Sequence, residues 1–172
     1  MIWLMEFEMT IADFDPELTT NYEVSLRSQF NNGAITANAN AFYSDWKDQQ
    51  VDIAISGDAR DTVIGNAGES KLYGAELELS AFLNSEVEVF STIGYVKTEF
   101  KEFALKVGDE LQDYKGNEFA NAPNFTSTLG TVYRRHDGVF ISVDANFQGE
   151  SYVDNTNTES RKLDERTLIN AK

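Results

Sequence analysis

Between residues 20 and 148, apolar positions recur every second residue in six runs of strand length, separated alternately by a short turn and a long polar stretch. In the first run Tyr22, Val24, Leu26, Ser28 and Phe30 alternate with Asn21, Glu23, Ser25, Arg27 and Gln29, a period of two that puts each set on its own face of a strand. Asn31-Asn32-Gly33 follows, residue types that accept positive φ and predict a turn. Ile35, Ala37, Ala39, Ala41 and Tyr43 then return against Thr36, Asn38, Asn40 and Phe42. Runs from Tyr73 to Leu83 and from Val87 to Tyr95 flank Asn84-Ser85-Glu86, and runs from Phe125 to Tyr133 and from Val139 to Phe147 flank His136-Asp137-Gly138. Thr167 begins a seventh run that reaches Lys172.

Short turns at one end and long stretches over 47–69, 104–120 and 154–166 at the other predict an all-β, antiparallel up-and-down meander of six to seven strands. That rhythm is the one by which transmembrane β-barrels are built, so the fold expected is a partial barrel. With the turns at the bottom, Tyr22, Tyr43, Tyr73, Tyr95, Phe125 and Phe147 fall on the apolar row near the upper strand ends, as an aromatic girdle at a membrane interface would. Phe30, Leu83 and Tyr133 mark the lower rim. The opposite row, with Glu23, Arg27, Asn38, Asn40, Glu76, Glu78, Asp144, Asn146 and Gln148, would face the lumen. Alternation alone also fits a soluble antiparallel β-sandwich, a carbohydrate-binding or adhesive module whose polar row meets solvent.

Six or seven strands fall short of the roughly 8 at which spanning barrels begin, so residues 1–172 read as a fragment of a single barrel domain. Residues 1–11 do not read as a signal peptide, since they have no basic start and Glu6 and Glu8 interrupt them, and residues 1–13 read as non-native or as the tail of a preceding strand. No apolar run approaches the roughly 18 residues of a membrane helix. A mean hydropathy of −0.40 is compatible with a barrel, because only alternate strand residues meet lipid. The net charge of −15, from 29 acidic and 14 basic residues, argues against a nucleic-acid surface.

Candidate chemistry is sparse. Zero cysteines remove disulfides, thiolate metal sites and thiol nucleophiles. His136 is the single histidine and sits in a turn, which excludes a histidine triad or a multi-histidine metal site within this chain. Glu76 and Glu78 share a face about 7 Å apart by strand rise, between the carboxyl separations of retaining and inverting glycosidases. Luminal strand faces carry such pairs routinely, and no enzymatic activity is expected. Loop acids such as Asp58, Asp61, Glu69, Asp109, Asp154 and Glu159 read as a solvated acidic surface without EF-hand spacing, so no metal or cofactor is expected.

Five segments carry a family resemblance: Phe14-Asp15-Pro16-Glu17 with Asn21-Tyr22-Glu23; Ala41-Phe42-Tyr43-Ser44-Asp45-Trp46-Lys47-Asp48-Gln49-Gln50-Val51; Tyr73-Gly74-Ala75-Glu76-Leu77-Glu78-Leu79; Ile93-Gly94-Tyr95-Val96-Lys97-Thr98-Glu99-Phe100; and Gly116-Asn117 with Asn121-Ala122-Pro123-Asn124-Phe125-Thr126. In order and spacing they resemble the late barrel of TonB-dependent outer-membrane receptors. The resemblance implies a receptor in the Gram-negative outer membrane, embedded in its lipid, that takes up a scarce nutrient. The nutrient would be an iron–siderophore first, with haem, cobalamin and a saccharide as alternatives, and a TonB complex would supply energy through an N-terminal part not included in these residues. It also implies a plug domain in the lumen, absent from this chain, for which Gly74 and Gly94 on the inward row would leave room; strand coiling is the other reading of those glycines. Ligand contacts do not transfer residue by residue. Tyr114, Phe119 and Tyr152, in the long stretches, are the candidate ligand-contacting aromatics, with packing at the upper rim as their alternative role.

Overall fold

The computed structural model describes residues 15–54, 62–107 and 110–172. Its strands are β1 (Leu18–Phe30), β2 (Ile35–Ala54), β3 (Thr62–Phe82), β4 (Val87–Glu102), β5 (Ala104–Val107), β6 (Glu110–Asp113), β7 (Phe125–Arg134), β8 (Phe140–Gln148), β9 (Ser151–Tyr152), β10 (Lys162–Leu163) and β11 (Arg166–Ala171). Seven of them form one antiparallel sheet in the order β1-β2-β3-β4-β7-β8-β11, the meander that the alternation predicts. The pairs β5–β6 and β9–β10 are small two-stranded ribbons inside the long connections.

Each short connection has a local cause. Asn31, Asn32 and Gly33 all take positive φ, at 50°, 56° and 86°, which is what lets β1 reverse directly into β2. The Asn84 Oδ1 accepts from the N–H groups of Glu86 and Val87 at 2.8 and 2.9 Å, an Asx turn that closes β3 onto β4. Between β7 and β8, Gly138 has φ 96° and the Asp137 carboxylate accepts from Arg135 Nε at 2.7 Å.

Register aligns the two kinds of row across the whole sheet. Val24, Ala41, Ala75, Tyr95 and Phe125 are direct cross-strand neighbours, and the next row toward the turns runs Leu26, Ala39, Leu77, Ile93, Ser127, Phe147 and Thr167. Residues directly opposite one another point to the same side of a sheet, so the apolar rows make one continuous face and the polar rows the other. Among the described residues the other two sheets are the short ribbons β5–β6 and β9–β10, and the seven-stranded sheet has no sheet of comparable size packed on it as a β-sandwich would. The buried hydrophobic residues there are Val51, Ala67, Phe100, Phe103 and Val132, whereas Val24, Leu129 and Ile169 on the apolar face are 76%, 67% and 75% exposed.

The strands reach further than the hydrophobic pattern indicates. Residues 47–69 read as a loop, yet β2 runs to Ala54 and β3 starts at Thr62, paired from Ile53↔Val63 through Lys47↔Glu69. A ladder satisfies backbone groups whatever the side chains are, so strands continue past the point where one face must be apolar. The expected loops over 104–120 and 154–166 likewise contain β5–β6 and β10. Residues 1–13 and the acids Asp58, Asp61 and Asp109 lie outside the described residues.

Candidate functional site

The polar face is built from side chains that satisfy one another across strands. Arg27, Asn38, Glu78, Thr92, Thr128 and Asn146 form one cross-strand row, and Ser25, Asn40, Glu76, Gly94, Thr126 and Gln148 the next. Glu23 and Asp144 stand on the same face, opposite Phe42 and Gly130. Asn38 Nδ2 donates to Glu78 at 3.3 Å, Ser25 Oγ to Glu23 at 3.1 Å, and Thr128 Oγ1 to Asn146 at 2.8 Å. Asp144 accepts from the amides of both Asn146 and Asn170, and Gln148 accepts from Arg166 at 2.7 Å. A cleft of about 350 Å³ between Glu23, Arg27, Asn38, Asn40, Glu76 and Glu78 opens on this face. All nine polar positions singled out in the sequence therefore share one face, opposite the six aromatic ones.

The inward glycines have partners within the sheet. A Cβ on Gly74 would lie 2.7 Å from Phe42 Cζ and would also clash with the backbone carbonyl of Tyr95, and one on Gly130 would enter the Phe90 ring. Phe42 is the cross-strand neighbour of Gly74, and Phe90 of Gly130, so each ring lies over a glycine on the next strand. A Cβ on Gly94 would lie 2.9 Å from Thr126 Oγ1. The close approach at Gly74 is thus made by Phe42 of the same sheet, a contact that the reading of Gly74 and Gly94 did not consider.

At the end away from the short turns, residues 103–107 and 110–122 fold over the polar face. Phe119 N–H donates to Thr98 Oγ1 at 3.0 Å, and Phe100 exchanges backbone hydrogen bonds with Asn117 and Gly116 at 2.9 and 2.8 Å. Beneath this fold Phe100 meets Phe103 and Phe119, each at 4.8 Å between ring centroids, Phe103 meets Tyr114 at 5.2 Å, and Trp46 meets Phe119 at 6.3 Å. Tyr114 and Phe119 are therefore brought together as part of an aromatic cluster with Val51, Ala67 and Leu105. Burial, then the nearby Asp154 charge, raises the Tyr114 phenol pKa. Tyr152 lies apart, its hydroxyl donating to Glu159 at 2.8 Å, which raises its pKa, and its ring under Lys162. Trp46, Phe100 and Phe103 escaped the sequence reading because their partners come from a connection that carries no periodicity.

Two asparagines lock the second and third long connections together. Asn157 accepts from Glu118 N–H and donates to Glu118 O at 2.9 Å, while Asn155 accepts from Ala120 N–H at 3.0 Å and its carbonyl accepts from Asn117 Nδ2 at 2.8 Å. His136 stands at the opposite rim, 3.6 Å from Glu86 and fully accessible in its turn. Glu76 and Glu78 stand in neighbouring rows, each of which also carries amides and threonines. Among the described residues no group of three or more histidine, aspartate or glutamate side chains is placed to hold a metal ion.

A model of the family described as TonB dependent receptor-like, beta-barrel, matches residues 7–172. The chain belongs to this family. This receptor-barrel segment is 25% identical over 149 residues to the probable TonB-dependent siderophore receptor PiuA of Acinetobacter baumannii, an alignment that covers 84% of the segment and 19% of the relative. Its fold matches the crystal structure of the siderophore receptor PiuA from Acinetobacter baumannii with a TM-score of 0.71 at 23% identity, over 92% of the segment and 22% of that chain. The ferric yersiniabactin uptake receptor FyuA from Yersinia pestis matches at 0.70 with 20% identity, and the copper transporter OprC at 0.67 with 14%, each over 92% of the segment and 22% and 23% of the respective chains. The segment thus spans about a fifth of the length of the proteins that it resembles, and the structural matches speak to the fold.

Proposed function

We propose that these residues are one wall of an outer-membrane active-transport receptor, with lipid against the apolar face and the receptor's lumen against the polar one. The observation that carries the reading is the uncovered apolar face, continuous across all seven strands and lined by residues such as Val24, Leu26, Leu129 and Ile169. In water such a face would cost about 25 cal/mol for each Å² left uncovered, whereas lipid accepts it.

The aromatic positions support the same reading by their stagger. Tyr22, Tyr43 and Tyr73 share one row, Tyr95 and Phe125 sit one row nearer the turns, and Phe147 a further row down. A drop of four residues over five strand steps corresponds to a tilt of about 30° at ordinary strand spacings, close to the 35–45° typical of spanning barrels. The six rings then lie near one level of the bilayer as its upper girdle.

The lumen row from Glu23 to Gln148 faces a plug supplied by another part of the receptor, and the mouth is narrowed by residues 110–122. Tyr114 and Phe119 shape that mouth, while Tyr152 is the more accessible aromatic for ligand contact. The cargo proposed is an iron–siderophore, by analogy with the names of PiuA and FyuA, taken up with energy from TonB. The test is uptake of radiolabelled ferric chelates by cells making the full-length protein, with and without TonB. Accumulation of at least one chelate only when TonB is present is expected; outer-membrane residence with no TonB-dependent uptake of any iron chelate would overturn the cargo.

A further inference from the structure

Close to the short turns the alternation lapses. Phe82-Leu83, Val89-Phe90, Val132-Tyr133 and Val139-Phe140-Ile141 are runs of consecutive apolar residues at the turn ends of β3, β4, β7 and β8. In each run one residue must point to the polar side of the sheet, and register identifies it. Phe82 is level with Glu88, Val132 and Ser142; Phe90 with Ser80, Gly130 and Asp144; and Phe140 with Arg134. One row further from the turns the same face has already become Thr92, Thr128 and Asn146. Strands that are apolar on both sides are strands covered on both faces. In the wall proposed above, lipid covers one of those faces at this end, and the other needs an occupant.

The sheet covers this patch only in part. Val132 is buried and Phe90 lies over Gly130, but Phe82 and Phe140 stay 51% and 44% exposed. Among the described residues the long connections stand at the other end of the strands and bring nothing to it. Arg134 donates to Glu88 at 2.8 Å, with its guanidinium 5.7 Å from the centre of the Phe140 ring, so the charges beside the patch already satisfy each other. A matching surface is therefore apolar. Phe82 on β3 and Phe140 on β8 are three strand spacings apart, about 14 Å, a width that one helix of about 10 Å diameter fills. In the relatives most of the chain lies beyond the part that this segment matches, so the receptor's own chain is long enough to supply that surface.

We infer that the turn end of the lumen wall is an apolar footing, on which one segment of the plug lays aliphatic or aromatic side chains between Phe82 and Phe140. This rests on the transmembrane reading above. Higher in the lumen the wall offers Asn38, Glu76 and Glu78, whose polar contacts exchange readily with water, so the plug is held at the end near the short turns and loosens first above it. The test places the photocrosslinking residue p-benzoylphenylalanine at Phe82 or Phe140 of the natural full-length protein in outer membranes, with Leu129 on the apolar face for comparison, and maps the adducts by mass spectrometry. Phe82 and Phe140 should join peptides of the same chain from outside residues 1–172, and Leu129 only lipid. Adducts of Phe82 and Phe140 with lipid or with a separate protein, or no adduct at either, would overturn the footing and leave the membrane wall standing. Peptide adducts at Leu129 would sink the transmembrane reading and the footing with it. A second readout is a cysteine at Ser142, level with Val132, in a background otherwise free of cysteine. F82S/F140S should raise its rate of reaction with a water-soluble maleimide at least about tenfold, the equivalent of one aromatic side chain passing from an apolar surface to water. Equal rates would also overturn the footing.

Discussion

Gly74 and Gly130 occupy matching places under aromatic rings, but what bounds them differs. At Gly130 the three atoms nearest to a Cβ all belong to the Phe90 ring, whereas at Gly74 the nearest is the Tyr95 carbonyl oxygen, ahead of Phe42. Gly130→Ala should therefore destabilise the folded protein by about 1–3 kcal/mol, the usual range for overpacking, and Phe90→Ala should recover part of that loss. Gly74→Ala should show no such rescue by Phe42→Ala, because a backbone atom cannot swing away. Unfolding midpoints in denaturant for the four single and two double variants check both halves. A second expectation concerns Asp45, whose pKa is held below its usual 3.8 by hydrogen bonds from Lys101 and then Tyr43. A depressed carboxylate adds stability above 3.8 that is lost as pH falls through its folded value, and the raised Lys101 adds stability below 10.5 that is lost as pH climbs past its own. The pair therefore holds across the window between these limits. Carbon-detected NMR of Asp45 should give a midpoint under 3.8 that returns toward it in Lys101→Met.

At the scale of elements, the clamp between the long connections is the part most open to test. Asn157→Ala removes both hydrogen bonds to the Glu118 backbone. Each is worth about 1 kcal/mol net, so amide exchange at Glu118 and Ala120 should accelerate at least tenfold while exchange within β7 and β8 stays unchanged. Equal protection in the variant would show that the aromatic cluster alone holds the connection. The hairpins themselves were legible in sequence, because Asn31-Asn32-Gly33, Asn84 and Gly138 carry turn chemistry locally and the flanking rows alternate. The upper halves of β2 and β3 were not. Beyond Tyr43 both faces lie above the apolar zone, the alternation lapses, and Asp48 takes φ 53°, so only the ladder from Lys47↔Glu69 to Ile53↔Val63 keeps the chain extended. The cluster of Trp46, Phe100, Phe103, Tyr114 and Phe119 was hidden for a related reason, since its members approach only once residues 110–122 lie back against β4.

For the whole molecule, the two faces of one strand should respond oppositely to charge. Leu129 and Thr128 are adjacent in β7, one on the apolar row with Ala145 and the other on the polar row with Asn146. Leu129→Arg should cost about 2–4 kcal/mol in lipid, the range for an arginine at a barrel's mid-membrane surface, and Thr128→Arg much less. Equal penalties would contradict the assignment of faces. The most direct measurement of the central claim exploits the absence of cysteine from these 172 residues, with any cysteine elsewhere in the full-length protein replaced by serine. Single cysteines placed in turn along β7 and β8 of the full-length protein, spin-labelled and reconstituted into liposomes, report accessibility to oxygen dissolved in lipid and to a water-soluble relaxant. Labels at Ser127, Leu129, Thr131, Val143 and Ala145 should be relaxed by oxygen, and labels at Thr126, Thr128, Ser142, Asp144 and Asn146 should not, a period of two in antiphase across the cross-strand pairs. Uniform access of the water-soluble reagent to both sets would contradict a membrane-facing wall.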